Sequence, residues 1–350
     1  MAKKTAIFIS ILLLHSLSAC SSQEKETELV RHEGQFLELF DTVTQVIAYT
    51  ETKEDYNTYY KLVFDNTKEM HELFDIYNDY EGINNIKTIN DNAGIAPVKV
   101  DRRIIDLLKF GKEAYAFTNG KTNIAMGSVL RIWHDHREAG LEDPAAATLP
   151  DMEALKQAAL HTDINNVIID EAASTVYLKD PDMRLDVGAI AKGYTAEQVC
   201  QIATKAGYSG LLSFGGNVRA TGFKGDGKTP WAIGIQDPFA QGESSYLYLM
   251  EVTDRSLVTS GDYERYYEVD GKRYHHIIDP VTLFPADYFT SVTILCEDSG
   301  AADAWSTALF NMSYEEGLKL VEADPDVEAL WIFKDGTMKD TSGFQDLILK

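Results

Sequence analysis

The chain has 350 residues, 45% of them hydrophobic and 11% aromatic, and carries a formal net charge of −23. That length and apolar content support one large packed domain or two small ones. The acidic surface excludes nucleic acid as a partner, because no phosphate backbone is drawn to it, and an anionic ligand would need local Lys, Arg or metal compensation.

Residues 1–19 read as an export signal. Lys3 and Lys4 form a basic n-region, Ala6–Leu14 an apolar stretch too short to span a bilayer, and the run closes on Leu17-Ser18-Ala19-Cys20. A cysteine directly after Leu-Ser-Ala resembles a bacterial lipoprotein signal. That resemblance implies lipid on Cys20 and a chain anchored to the extracytoplasmic face of the cell membrane. A plain secretory peptide ending at Ala19 is the alternative. Residues 20–35 then form the tether, polar and charged over Ser21–Arg31, and residues 36–350 the folded domain.

Apolar residues at three- and four-residue spacing predict helices over Tyr56–Phe74, Asp101–Phe117, Thr195–Ala206 and Ala301–Leu309, with another over Glu315–Ala323. Strand-like alternation covers Phe36–Tyr49, Asn166–Asp170, Thr175–Leu178, Trp231–Gln236, Tyr246–Val252, His275–Ile278, Ser291–Leu295 and Ala329–Phe333. Glu171–Ser174 and Asp335-Gly336 read as hairpin connections. Strands and helices mix without the strict alternation of a doubly wound sheet, which assigns the α+β class. Arg137–Pro150, with Pro144 and an alanine triplet, reads as a boundary or an inserted loop. With Cys20 committed to lipid, Cys200 and Cys296 fall in different elements with no CxxC pair, and two buried free thiols are expected.

Gly222–Thr229 (GFKGDGKT) matches the phosphate-loop pattern, but that loop works only between a strand and a helix. Here Pro230 and an alternating strand follow, so a hairpin turn accounts for the residues. On the helix near Ala301, Asp303 and Thr307 stand four residues apart on one face with Ser306 beside them. Carboxylate and hydroxyl oxygens suit magnesium rather than zinc; an acid near a helix N-terminus with packed hydroxyls is the simpler alternative. In Arg273–Pro280 (RYHHIIDP), His275 and His276 point to opposite faces of a strand, so at most one serves a given pocket as a proton acceptor. Asp279-Pro280 reads as a turn start. Met183–Tyr194 (MRLDVGAIAKGY) combines Asp186, two glycines and the cation Lys192. The paired glycines of Ser213–Asn217 (SFGGN) allow close backbone approach to a ligand.

RLDVGAIAKGY at 184, SFGGN at 213, SGDYERYYE at 260, RYHHIIDP at 273 and ADAWSTALF at 302 occur in the order and rough spacing of the FAD:protein FMN transferase family, the ApbE-type flavin transferases. The resemblance runs from about Phe36 to Phe333. It implies an ApbE-like α+β fold and cleavage of FAD with transfer of FMN to a Thr or Ser hydroxyl of an extracytoplasmic partner flavoprotein, with magnesium, releasing AMP. Carried over by motif, Asp303, Thr307 and Ser306 with the Ala189 carbonyl would hold magnesium. Tyr77, Lys121, Thr122, Asn123, Asp186, Lys192 and Ile277 would contact FAD, and His276 would be the base. The chain departs from the family at Leu283, where a glycine is usual, at Phe40–Gln45 (FDTVTQ), and at Trp305, a bulky residue expected to narrow the pocket. An FAD pyrophosphatase, or an FAD-binding lipoprotein without chemistry, are the alternatives within the same reading.

Overall fold

A computed structural model describes residues 29–240 and 245–349; the export signal and Cys20 lie outside them. An eight-stranded antiparallel sheet organises the chain, and its strands neighbour one another in chain order: Val30–Phe36, Thr44–Thr50, Gly210–Phe214, Asn217–Ala220, Ser256–Gly261, Phe289–Cys296, Glu328–Phe333 and Met338–Asp340. Helices fill the excursions between strands. They are α1 (Lys53–Phe74), α2 (Ile86–Asp91), α3 (Arg102–Phe117), α4 (Gly127–Glu142), α5 (Met152–Ala159) and α6 (Ala191–Lys205), then α7 (Ser299–Phe310) and α8 (Tyr314–Val321). The α+β class holds.

Sheet alternation distributes the core. On Phe289–Cys296, Val292, Ile294 and Cys296 pack toward α7, while Leu295 joins the opposite layer with Leu330 and Ile332. That layer is the hairpin Trp231–Gln236/Tyr246–Val252. With both faces covered, every residue of the strand is buried, and the sequence there is a nearly continuous apolar and hydroxyl run. α7 is buried around most of its circumference because α6 lies on one side and two strands on another.

The contact between α6 and α7 is close enough to dictate a residue. A Cβ at Gly193 would stand 2.2 Å from the Ser299 carbonyl oxygen and 2.5 Å from Asp303 Cβ. A buried ion pair secures the same junction: Arg219 Nε donates to Glu197 Oε2 at 2.8 Å, and that oxygen also accepts from the Ser299 N–H at 3.1 Å. One side chain therefore ties α6 to the sheet and to the first turn of α7. Cys200 and Cys296 are free and buried, and burial pushes both thiols well above the ordinary range.

Several elements differ from expectation. The predicted strand Phe36–Tyr49 is two strands joined by a turn in which Phe40 and Asp41 have φ 56° and 51°. The turn contains neither Gly nor Pro, and the first strand reaches back to Val30, into the stretch assigned to the tether. Arg137–Pro150 is no inserted loop: α4 runs through it to Glu142, and a short 3-10 turn leads to Asp151, which caps α5. Both hairpin connections form, with Ser174 at φ 53° and Gly336 at 84°. The strand predicted at His275–Ile278 ends at His275. Gly222–Thr229 precedes a strand, and Asp226 accepts from the N–H groups of Lys228 and Thr229, so this loop forms without a following helix.

Gly193→Ala should lower stability by about 1–3 kcal/mol, the range for overpacking a closed interior. Thermal unfolding of variant and parent checks this, and an unchanged midpoint would contradict the tight α6–α7 junction.

Candidate active site

The first turn of α6, the Asp303–Thr307 face of α7 and the loops around them enclose a cleft of about 540 Å³. It gathers Tyr77, Lys121, Thr122, Asn123, Asp186, Ala189, Lys192, His276, Ile277, Asp303 and Thr307 from widely separated parts of the chain. Ser306 is the exception. It is fully buried, donates to the Asp303 carbonyl at 2.9 Å and meets Ser260 Oγ at 2.8 Å. Its proton is used on the carbonyl, so Ser260 is the donor of that second bond. Ser306 braces α7 against a strand and does not face the cleft. Trp305 does not narrow the cleft either; it is buried against Phe117 with ring centroids 5.0 Å apart.

The start of α6 supplies a donor to its neighbour. The Gly193 N–H, one of the first-turn donors that has no partner within a helix, donates to Asp303 Oδ2 at 2.8 Å. Ala189 precedes the N-cap residue Ile190, so its carbonyl lies outside the helical ladder. Asp303 is 4% exposed and its Oδ1 accepts nothing from the described residues, nor does the Thr307 hydroxyl bond to them. Carbonyl, carboxylate and hydroxyl oxygens that face a cleft without partners are the donor set a hard cation takes. Among the described residues one His/Asp cluster also has metal-ligand spacing, His161 with Asp180 and Asp182. None of the three lines the cleft, and His161 Nδ1 is paired with Asp180 at 2.9 Å.

The two histidines divide cleanly. His275 is buried; its Nε2–H donates to the Ala286 carbonyl at 2.7 Å and its Nδ1 accepts from the Ile277 N–H at 3.2 Å. Both nitrogens are used, so His275 is structural. His276 faces the cleft, with Nδ1 3.2 Å from the Arg265 carbonyl. A carbonyl only accepts, so the proton sits on Nδ1 and Nε2 keeps its lone pair. The residue is exposed on its cleft side. Desolvation, with Lys192 and Arg265 nearby, pushes its pKa down to about 3. His276 is therefore a neutral imidazole at neutral pH.

Other cleft residues are more occupied than the sequence suggests. Lys121 is ion-paired with the buried Asp279 at 3.0 Å, so Asp279 does more than start a turn. Thr122 donates to the Ala304 carbonyl at 2.8 Å, tying its loop to α7. Both ends of the Asn123 amide are engaged, with the Thr162 carbonyl and the Ala125 N–H. Ile277 uses its N–H on His275 and its carbonyl on Ala286. Asp186 accepts from the Gly188 N–H at 2.9 Å, and enclosure by the cleft pushes its pKa up. Lys192, unlike Lys121, forms no ion pair with the described residues.

Tyr77 stands at the mouth, 55% exposed, with its ring 5.2 Å from that of His134. Sequence reasoning missed what holds it. Asp75 accepts from the N–H groups of Tyr77 and Asn78, from the Asn78 amide and from the Tyr80 hydroxyl. Those bonds outweigh burial and keep its carboxyl below the usual range. Arg265 was missed too, although it lies within the SGDYERYYE segment.

Comparison with known proteins bears on this arrangement. The family model described as the ApbE family matches residues 40–331. The FAD:protein FMN transferase of Treponema pallidum is 39% identical over 277 residues, 75% of this chain and 74% of that protein. That of Klebsiella pneumoniae is 33% identical over 273 residues, 75% of this chain and 80% of its own. The crystal structure of the ApbE protein from Thermotoga maritima has a TM-score of 0.80 at 28% identity, covering 92% of this chain and 100% of that one.

The chain belongs to the ApbE family.

Within that family, the departure at Leu283 has a physical answer. Leu283 adopts φ 62°, the left-handed conformation that favours glycine, and its N–H still closes the turn on the Asp279 carbonyl at 2.8 Å. The strain costs about 1–2 kcal/mol, while the buried leucine side chain, in the cluster with Trp133 and Ile278, contributes about 2–5 kcal/mol relative to a truncated one. Packing wins, and the turn shape survives. The Phe40–Gln45 departure also keeps its place, since Phe40, Asp41 and Thr42 line the cleft.

The lowered pKa of His276 makes a pH prediction. The free base persists as pH falls through 6.5, so kcat/KM should show no acid limb from His276 between about pH 8 and 5. A limb centred near 6.5 that disappears in His276→Gln would contradict the assignment.

Proposed function

We propose that this ApbE-family chain transfers FMN from FAD to a Thr or Ser hydroxyl of a partner flavoprotein, releasing AMP. The observation that carries this reading is the presence, in one cleft, of hard oxygens and a lysine without partners among the described residues, beside a neutral imidazole with a free nitrogen. The volume suits a dinucleotide-sized ligand held in part. The names of the Treponema pallidum and Klebsiella pneumoniae relatives support the same chemistry.

Asp303, Thr307 and the Ala189 carbonyl would hold magnesium, which supplies charge compensation at the pyrophosphate when bound. Lys192 adds a fixed cation on an otherwise acidic protein. The acceptor hydroxyl gives its proton to His276 Nε2 as its oxygen bonds to the FMN phosphorus. The bond from that phosphorus to the bridging oxygen breaks, AMP leaves with the electron pair, and the proton passes from His276 to solvent. Nδ1–H on the Arg265 carbonyl keeps the ring oriented throughout. A lipid on Cys20 would place this reaction at the extracytoplasmic membrane face.

The test incubates the full chain in detergent with FAD, magnesium and a threonine-bearing acceptor flavoprotein. Intact mass should show the acceptor gaining one FMN, with AMP in equal amount. FMN and AMP forming equally without acceptor would replace transfer with pyrophosphatase activity, and unchanged FAD would leave only a binding protein. Asp303→Asn should slow turnover by about 100-fold or more, the scale of losing one fixed electrostatic stabiliser. His276→Ala should slow transfer by about 100- to 10,000-fold while sparing FAD binding. Equal loss of both in the histidine variant would make His276 structural.

A further inference from the structure

Four cationic side chains line the cleft: Lys121, Arg137, Lys192 and Arg265. Two are already neutralised. Lys121 is paired with Asp279 at 3.0 Å, and Arg137 with Glu138 at 3.1 Å, with a further bond to His134. Lys192 and Arg265 have no ion pair among the described residues, although Asp41 and Glu264 also stand near Arg265 along the wall. Among the described residues the Arg265 guanidinium makes one bond, to the Asp41 carbonyl at 3.3 Å, which engages one of its five donors. Its position is central rather than peripheral. It lines both the cleft and the adjoining groove at the mouth, beside Tyr77 and His134.

The backbone of Arg265 is tied to the proposed base. Its carbonyl accepts from the His276 N–H at 3.0 Å and from His276 Nδ1 at 3.2 Å. The two strands on either side, Tyr266–Val269 and Lys272–His275, pair directly and hold the residues in register. One residue thus fixes the histidine through its main chain while its side chain points a free guanidinium into the same space.

We propose that Arg265 is a substrate-binding residue whose guanidinium hydrogen-bonds the phosphate oxygens of the dinucleotide next to His276. This rests on the FAD reading above. A guanidinium suits phosphate because its planar fork gives two parallel donors, and it stays charged at every relevant pH. Lys192 supplies a point charge; Arg265 supplies direction. Because the His276 contact runs through the Arg265 carbonyl, replacing the side chain leaves the histidine's hydrogen bonds in place and isolates the guanidinium.

The experiment measures FAD affinity of the full chain in detergent by flavin fluorescence, for the parent, Arg265→Met and Arg265→Lys, at low and high salt. The methionine variant should bind FAD about 10- to 100-fold more weakly, the scale of a lost charge-assisted hydrogen bond, with a flatter salt dependence. The lysine variant should recover part of the loss, and the melting temperatures should match. Unchanged FAD affinity in the methionine variant would overturn the assignment while leaving the FAD reading intact. Weaker binding with the parent's salt dependence would also overturn it, as a structural effect. A parent chain that binds no FAD would overturn both.

Discussion

One hydrogen bond sets the geometry of the cleft: the Gly193 N–H donates to Asp303 Oδ2 at 2.8 Å across the α6–α7 junction. It forms because residue 193 has no side chain, so the α6 backbone can lie directly on Ser299 and Asp303. The bond turns one Asp303 oxygen away from solvent and leaves the other for a ligand. Asp303 and Ala189 are thereby placed together by a single contact, with Lys192 between Ala189 and Gly193 in the chain. Around it, the Glu197–Arg219 pair and the Thr122–Ala304 bond fasten α6, α7 and the neighbouring loop to the sheet. The site's oxygen donors are anchored from behind.

Electrostatics within the cleft run against those of the whole molecule. A chain with net charge −23 repels anions at long range, yet at the site Lys192 and Arg265 have no ion pair among the described residues and the carboxylate of Asp303 is buried and held by its Gly193 contact. Asp186 adds to this, since enclosure disfavours its ionised form. His276 stays neutral chiefly because enclosure disfavours its charged form, and Lys192 and Arg265 act in the same direction. Binding of a dianionic pyrophosphate would offset those cations and make the imidazole a better proton acceptor at the moment it is needed.

Much of this was legible in the sequence where local chemistry is enough. Asp303 and Thr307 share a face because the apolar period of α7 is unambiguous, and His275 and His276 take the different roles that alternation suggested even though the strand ends at His275. Helix α6 was read four residues short, since Ala191-Lys192-Gly193 offers neither a capping side chain nor an apolar stripe, and its start is stabilised by tertiary contact with α7. The turn at Phe40–Asp41 was invisible because alternation continues through it without Gly or Pro. Roles set by long-range partners were beyond local reading: Asp279 on Lys121 and Ser306 on Ser260. Each depends on which residues the sheet order brings together, and no spacing in the chain encodes that.

The most direct test of the account is where a divalent cation binds. Crystals of the protein grown with FAD and manganese, as a stand-in for magnesium, should give an anomalous peak bonded to Asp303 Oδ1, Thr307 Oγ1 and the Ala189 carbonyl. A peak at His161, Asp180 and Asp182 instead, or none in the cleft with FAD bound, would contradict the claim that the α6–α7 junction is built to present a metal site.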